Sequence, residues 1–268
     1  MRKIWDIHGG IHPPENKNQS LNRPITPCPI PNVLVFPLSQ HVGAAAKPIV
    51  TVGDHVLKGQ LIAEAGAKVS ASIHASTSGT VIAIEDRPIA HPSGLSAPCI
   101  VVEADGNDQW REQHPIQNWH AKDRTELLKI IADAGITGMG GAGFPTPIKL
   151  NPPPTSTVDT LIINGTECEP YITADHILMR ERAKEICEGV AILAAIINPS
   201  QILVGIEDNK PDVISGMSQA LNDAIEMARD KIPALAECAT DVVVFPTKYP
   251  SGGEKQLIQI LTGKEVPS

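Results

Sequence analysis

The chain has 268 residues of which 42% are apolar, enough for one large or two ordinary domains with their own cores, which excludes disorder over the whole length. Twenty-two Lys and Arg against 30 Asp and Glu leave a formal charge of −8, a sign that opposes adhesion to nucleic acid or to anionic lipid. The longest apolar run is nine residues, 189–197, well short of the roughly 20 that a membrane-spanning helix needs, so no direct span is expected. Asp6 and His8 follow Arg2 and Lys3 before any apolar stretch could build a signal peptide, which predicts a chain that stays in the cytoplasm.

Taken in chain order, the first half is rich in proline and in short β-branched runs. Val33-Leu34-Val35-Phe36, Ile49-Val50-Thr51-Val52, Val81-Ile82-Ala83-Ile84 and Ile100-Val101-Val102 are separated by Gly, Asp, Pro and Ser, which predicts a small all-β unit. Near residue 121 the pattern changes to 3.6-period segments alternating with apolar runs, so we expect two domains, 1–121 and 122–268. The first carries a charge of −1 and the second −7. Asp123 and Glu126 have capping-box spacing ahead of a helix that should stop at Gly135. Thr173 can cap the next, whose stripe runs Ile186, Val190, Leu193, Ile197. A third opens near Asn209 and Pro211 and should bury Val213, Met217, Leu221, Ala224 and Ala228, and a fourth begins at Ser251. Thr160–Ile163, Ile202–Ile206 and Val242–Phe245 read as strands buried on both faces. The order βαβαβα predicts an α/β fold, a Rossmann-like parallel sheet with helices, whose ligands bind at the carboxyl ends of the strands.

The five cysteines, 28, 99, 168, 187 and 238, form no Cys-x-x-Cys and lie at least 19 residues apart, which argues against a metal, a cluster or a disulfide scaffold. His8 and His12 flank Gly9-Gly10 and precede Pro13-Pro14, so they read as loop histidines rather than metal ligands. Three loops suit an anionic cofactor. In Gly138-Met139-Gly140-Gly141-Ala142-Gly143, followed by Lys149, four glycines let backbone N–H groups close on one oxyanion, although a helix before and prolines after do not match the dinucleotide fingerprint. The segment is either a phosphate cradle or a flexible connector. Asn164 to Tyr171 offers the Asn164 amide to a heterocyclic edge and the Glu167 and Glu169 carboxylates to sugar hydroxyls, or is a solvated acidic loop. In Tyr249 to Lys255, Ser251 and Glu254 have capping-box spacing, while Gly252 and Gly253 suggest a ligand near the backbone.

Taken together, GMGGAGFPTPIKL, LIINGTECEPYITAD, GIEDNKP, YPSGGEKQLI and the opening GGIHPPENK resemble the RnfC family, the C-subunits of the Rnf-type electron transport complex, across essentially the whole chain. They are more distantly similar to the flavin-bearing, NADH-binding subunit of respiratory complex I, whose pattern has an acidic residue at Thr166 and glycine at Cys168. The resemblance implies a non-covalent FMN with its phosphate at Gly138, Gly140, Gly141, Gly143 and Lys149 and its ring near Asn164, Glu167 and Glu169, and NAD(H) contacts at Gly252, Gly253 and Glu254. It implies no catalytic side chain, because the hydride chemistry belongs to the flavin. It further implies other subunits of an ion-translocating complex as partners, and a peripheral place on the cytoplasmic face of the bacterial inner membrane. The family continues into a further β-rich module and a cysteine-rich region for 4Fe-4S clusters, so the chain reads as a truncated portion. The first half also resembles the barrel sandwich of lipoyl and biotinyl carriers, with Lys68 eleven residues before Gly79. A carrier protein is therefore the main rival reading, and a cofactor-free docking subunit the third.

Overall fold

The computed structural model describes residues 2–139, 143–153 and 155–266. The chain divides into two compact units, Cys28–Pro154 and the pair Met1–Pro27 with Thr155–Ser268, rather than at residue 121.

The first unit holds strands β1 (Val33–Pro37), β2 (Lys47–Pro48), β3 (His55–Val56), β4 (Leu61–Glu64), β5 (Ile73–His74), β6 (Gly79–Pro88) and β7 (Ser96–Ala104). They form an antiparallel sheet in the order β1-β7-β6-β3 and a smaller one in the order β2-β4-β5. Phe36, Val50, Val56, Ile62, Ile73, Val81, Ile100 and Val102 fill one core. The expected strand at Ile49–Val52 is absent. Pro48 ends β2, the Thr51 N–H donates to the Asp54 carboxylate at 2.7 Å, and Gly53 turns the chain at φ 97°, so Val50 is buried while Ile49 and Val52 face out. Lys68 is exposed in the bend between β4 and β5.

Helix α1 (Arg124–Asp133) starts from the expected Asp123–Glu126 capping box and ends before Gly135 at φ 67°. A short α2 (Thr146–Lys149) follows. Arg124 joins the two, donating to the Leu150 carbonyl at 3.1 Å and to Asn151 Oδ1 at 2.9 Å. Both helices belong with the β-rich unit, not with the parallel sheet.

The second unit follows the expected order: β8 (Thr160–Gly165), α3 (Ala174–Ile197), β9 (Gln201–Glu207), α4 (Pro211–Arg229), β10 (Ala239–Phe245) and α5 (Glu254–Thr262). The strands are parallel with β9 in the centre. Only β9 is buried along nearly all its length; β8 and β10 are edges and half-buried, because three strands leave just one with neighbours on both sides. Two crossovers in the same direction put α3 and α4 on one face. The line of α3 that is fully buried is Cys187, Val190, Ala191 and Ala194, displaced from the predicted stripe: Ile186, Leu193 and Ile197 are half-buried. Small residues on that line admit α4 closely, with Cys187 Sγ 3.9 Å from the Met217 carbonyl. On α4, Val213, Met217, Leu221 and Ala228 are buried as expected, joined by Ala220 and Ile225, while Ala224 is half-buried. The other face packs Leu203, Val243 and Phe245 against Leu257, Ile260 and Leu261 of α5, and Ile7 completes that core.

Ile7 belongs to an N-terminal arm that runs the length of this unit. Arg2 Nε and Nη2 donate to Asp241 and Gln201, the Trp5 N–H donates to the Ile260 carbonyl at 3.1 Å, and the Trp5 indole lies where a side chain at Gly263 would be. Among the described residues, no helix is long and apolar enough to cross a membrane. Gly263 has φ 69°, and a Cβ there would collide with the Trp5 ring. Gly263→Ala is therefore expected to cost about 1–3 kcal/mol from left-handed strain and overpacking, read by denaturant melting, and to shift the Trp5 fluorescence.

Candidate functional site

The carboxyl ends of β8, β9 and β10 are fastened together by one side chain. Glu207 closes β9 and is fully buried. Its Oε2 accepts from Lys210 Nζ at 2.6 Å and from the Glu167 N–H at 3.0 Å, and its Oε1 accepts from Ser251 Oγ at 2.8 Å. One carboxylate thus binds the loops that follow all three strands. Lys210 is also fully buried and donates to Asn209 Oδ1 at 2.8 Å, so neither charge is left bare in a low dielectric.

Around this anchor the loops after β8 and β10 clasp each other. Asn164 Nδ2 donates to the Gly252 carbonyl at 2.9 Å, and its Oδ1 accepts from the Thr166 N–H at 3.1 Å and from the Thr166 hydroxyl. The Gly252 N–H points to Cys168 Sγ at 3.4 Å, and a Cβ at Gly252 would meet Thr166 Oγ1 at 2.9 Å. Gly252 is thus required by the chain's own packing, whatever binds nearby. The two departures from the complex I pattern, Thr166 and Cys168, are the residues that grip it. Burial is the chief cause that raises the Cys168 thiol above its usual pKa.

The structure departs from expectation at three places on this edge. Ser251 and Glu254 form no capping box: Ser251 gives its hydroxyl to Glu207, Gly253 occupies the cap position with no side-chain bond, and α5 begins at Glu254. Glu167 was expected to face a ligand, but its side chain is 2% exposed and Oε1 accepts from the Asp175 N–H at 2.8 Å, at the start of α3. It fixes its own loop, as negative charge at a helix N-terminus does. Thr173 does stand at the cap position of α3, yet its hydroxyl goes to Ser20 Oγ at 2.8 Å.

The remaining expected residues of this unit stay accessible: Asn164, Glu169 and Glu254 are exposed, and Gly252 and Gly253 half-buried. In the β-rich unit, the Gly138 N–H donates to the Phe144 carbonyl at 2.8 Å, and Gly143, at φ 58°, lies so near Gln40 that a Cβ would stand 3.1 Å from its carbonyl. Among the described residues, a Cβ on Gly138 would make ordinary contact with the Phe144 backbone, its carbonyl at 3.7 Å. Lys149 is exposed at the end of α2. Gly140 and Gly141 lie outside the described residues.

The sequence reading missed Lys17, Glu207 and Lys210. GGIHPPENK and GIEDNKP were seen as letters, but a charge that ends an apolar strand, with an opposite charge three positions on, is the signal that a buried pair closes that strand. Removing one partner of such a pair strands the other. Glu207→Gln is expected to cost about 3–5 kcal/mol in urea denaturation, and Lys210→Met in the same chain to recover part of it.

Comparison with known proteins matches residues 131–268 to the Nuo51 FMN-binding domain family and residues 5–107 to the RnfC barrel sandwich hybrid domain. The C-subunit of the ion-translocating oxidoreductase complex of Vibrio cholerae serotype O1 is 49% identical over 265 residues, which cover 99% of this chain and 32% of that protein. The corresponding protein of Pseudomonas aeruginosa is 48% identical over 268 residues, 100% of this chain and 33% of that one. The chain therefore spans about a third of the length of these relatives. A solved NAD+-reducing NiFe-hydrogenase in its H2-reduced state overlaps 56% of this chain and 26% of its own at 26% identity and a TM-score of 0.48, too partial to carry an argument. With residues 131–268 matched, the chain belongs to the Nuo51 FMN-binding domain family, and that domain is preceded in sequence by an RnfC barrel sandwich hybrid domain, as in the C-subunits it is similar to.

Proposed function

We propose that this chain binds FMN non-covalently and exchanges electrons between NAD(H) and that flavin, as the peripheral nucleotide-handling part of an ion-translocating complex. The observation that carries the reading is the match to an FMN-binding family across a parallel sheet whose three carboxyl-end loops are fastened by Glu207. The strand order, with each successive strand laid beside the last, is that of one half of a Rossmann-like sheet, where ligands sit at the carboxyl ends.

The residue types at the expected positions suit the group. Lys149 and the backbone of Gly138, Gly140, Gly141 and Gly143 would hold phosphate through charge-assisted bonds. Asn164, with a second amide hydrogen, and the exposed Glu169 carboxylate would serve the ring and ribityl region, with Glu167 holding their loop in shape from within. Gly252 has its N–H and carbonyl already engaged and Thr166 against its Cα, so it would shape the NAD(H) contact by holding its loop in place, beside Gly253 and the Glu254 carboxylate. Bound FMN would supply the hydride chemistry and release electrons singly. In the whole complex these electrons would reach the other subunits through 4Fe-4S clusters, in an NADH:acceptor reaction of the ferredoxin:NAD type at the cytoplasmic face of the inner membrane.

Lys149→Ala is expected to weaken FMN about tenfold or more while leaving riboflavin nearly unchanged in fluorescence titrations, the loss of one charged hydrogen bond. Equal losses for both would remove Lys149 from the phosphate site. Anaerobic NADH is expected to bleach the bound flavin. Glu254→Gln keeps the size of the side chain and one acceptor oxygen, and is expected to leave melting and FMN affinity near wild type while weakening NADH several-fold. Unchanged NADH affinity would take Glu254 out of the nucleotide site.

A further inference from the structure

One buried charge has no part in this chemistry. Lys17 is 5% exposed, and its ammonium donates to the carbonyls of Glu167 at 2.7 Å, Glu169 at 3.0 Å and Ile172 at 2.6 Å, with a Glu167 carboxylate oxygen 3.9 Å away. An ammonium is a compact charge with three donors, and here each meets one carbonyl of a single turn. Carbonyl dipoles aimed at one point repel unless a cation sits there. Burial is the main force lowering the Lys17 pKa, and the Glu167 carboxylate opposes it.

The turn held in this way is not one its residues choose. Tyr171 adopts φ 69°, a left-handed conformation costly for an aromatic side chain, and its ring is 58% exposed. The arm supports it at two more points: the Tyr171 N–H donates to the Glu15 carbonyl at 2.8 Å, and Ser20 Oγ donates to the Tyr171 carbonyl at 3.4 Å. The same arm reaches the other two loops. Glu15 accepts from Asn209 after β9, while Ile11 pairs with Tyr249 and His12 lies 3.1 Å from the Thr247 carbonyl after β10.

We propose that Lys17 is a positioning residue for the flavin and nicotinamide chemistry: it curls residues 167–172 so that the Glu169 carboxylate is presented at the carboxyl edge of β8. This rests on the functional reading above. Lys17 itself touches no ligand and acts through the carbonyls it gathers. Its loss should therefore affect flavin binding at the sugar and ring, which FMN and riboflavin share, and not at the phosphate.

The test is Lys17→Met in the full chain. Without flavin, amide exchange over 168–173 should rise at least about tenfold while β8, β9 and β10 keep their protection. FMN and riboflavin affinities should fall by the same factor, about tenfold or more. Glu169→Gln, which is expected to weaken riboflavin several-fold in the wild-type background, should add nothing in Lys17→Met, because its carboxylate is already misplaced. Should Lys17→Met fail to fold, Lys17→Arg keeps the charge but offers a flat fork, and the same pattern at smaller size is expected. Unchanged exchange, or a Glu169→Gln loss that simply adds, overturns this role alone. A wild-type chain that takes no flavin overturns the functional reading and this role with it.

Discussion

A carboxylate buried without any exposure is costly unless every oxygen is answered, and Glu207 is answered by an ammonium, a hydroxyl and a backbone N–H. Those three donors come from three different loops, each the continuation of a different strand. The interaction fixes the relative height of the β8, β9 and β10 loops more tightly than apolar packing could, because hydrogen bonds have direction and packing does not. Everything placed on that edge inherits the constraint: the Asn164 to Gly252 clasp, the fit of Gly252 over Thr166, and the start of α5 at Glu254 all lie within the frame Glu207 sets.

Much of the second unit was legible because its signals are local. Continuous apolar runs mark β8, β9 and β10, and the 3.6-period stripe of α4 was predicted with one residue misjudged. The errors have a common physical origin. The buried line of α3 is set by tertiary packing, with Cys187 against Met217 of α4, and β-branching at Ile49–Val52 is overridden by the Pro48 stop and the Asp54 turn. Neither can be seen from periodicity. The grouping of α1 and α2 with the β-rich unit is likewise a matter of tertiary contact, invisible to a composition shift near residue 121.

For the site, residue types were easier to read than orientations. Asn164, Glu169 and Glu254 are exposed as a binding role requires, whereas Glu167, two positions from Glu169, turns inward to the start of α3. An Asn-x-x-Glu-x-Glu string does not say which carboxylate faces solvent, since a loop lacks the alternation that settles this in a strand. Ser251 shows the same limit: a capping-box spacing was present, but a buried carboxylate was the stronger acceptor for its hydroxyl.

The unit with the parallel sheet is made from two stretches, Met1–Pro27 and Thr155–Ser268, with the β-rich unit between them. Lys17 and Glu167, which meet in the finished molecule, are 150 positions apart along the chain. During synthesis the arm emerges well before the strands it grips, and the intervening unit can complete its own contacts while the arm waits. The carboxyl edge of the sheet can take its final shape only after the loop that follows β10 has emerged to receive Ile11, so a long loop closure comes late. The order of assembly thus makes the finished shape of this edge a late event, reached only when the arm finds the loop made after β10.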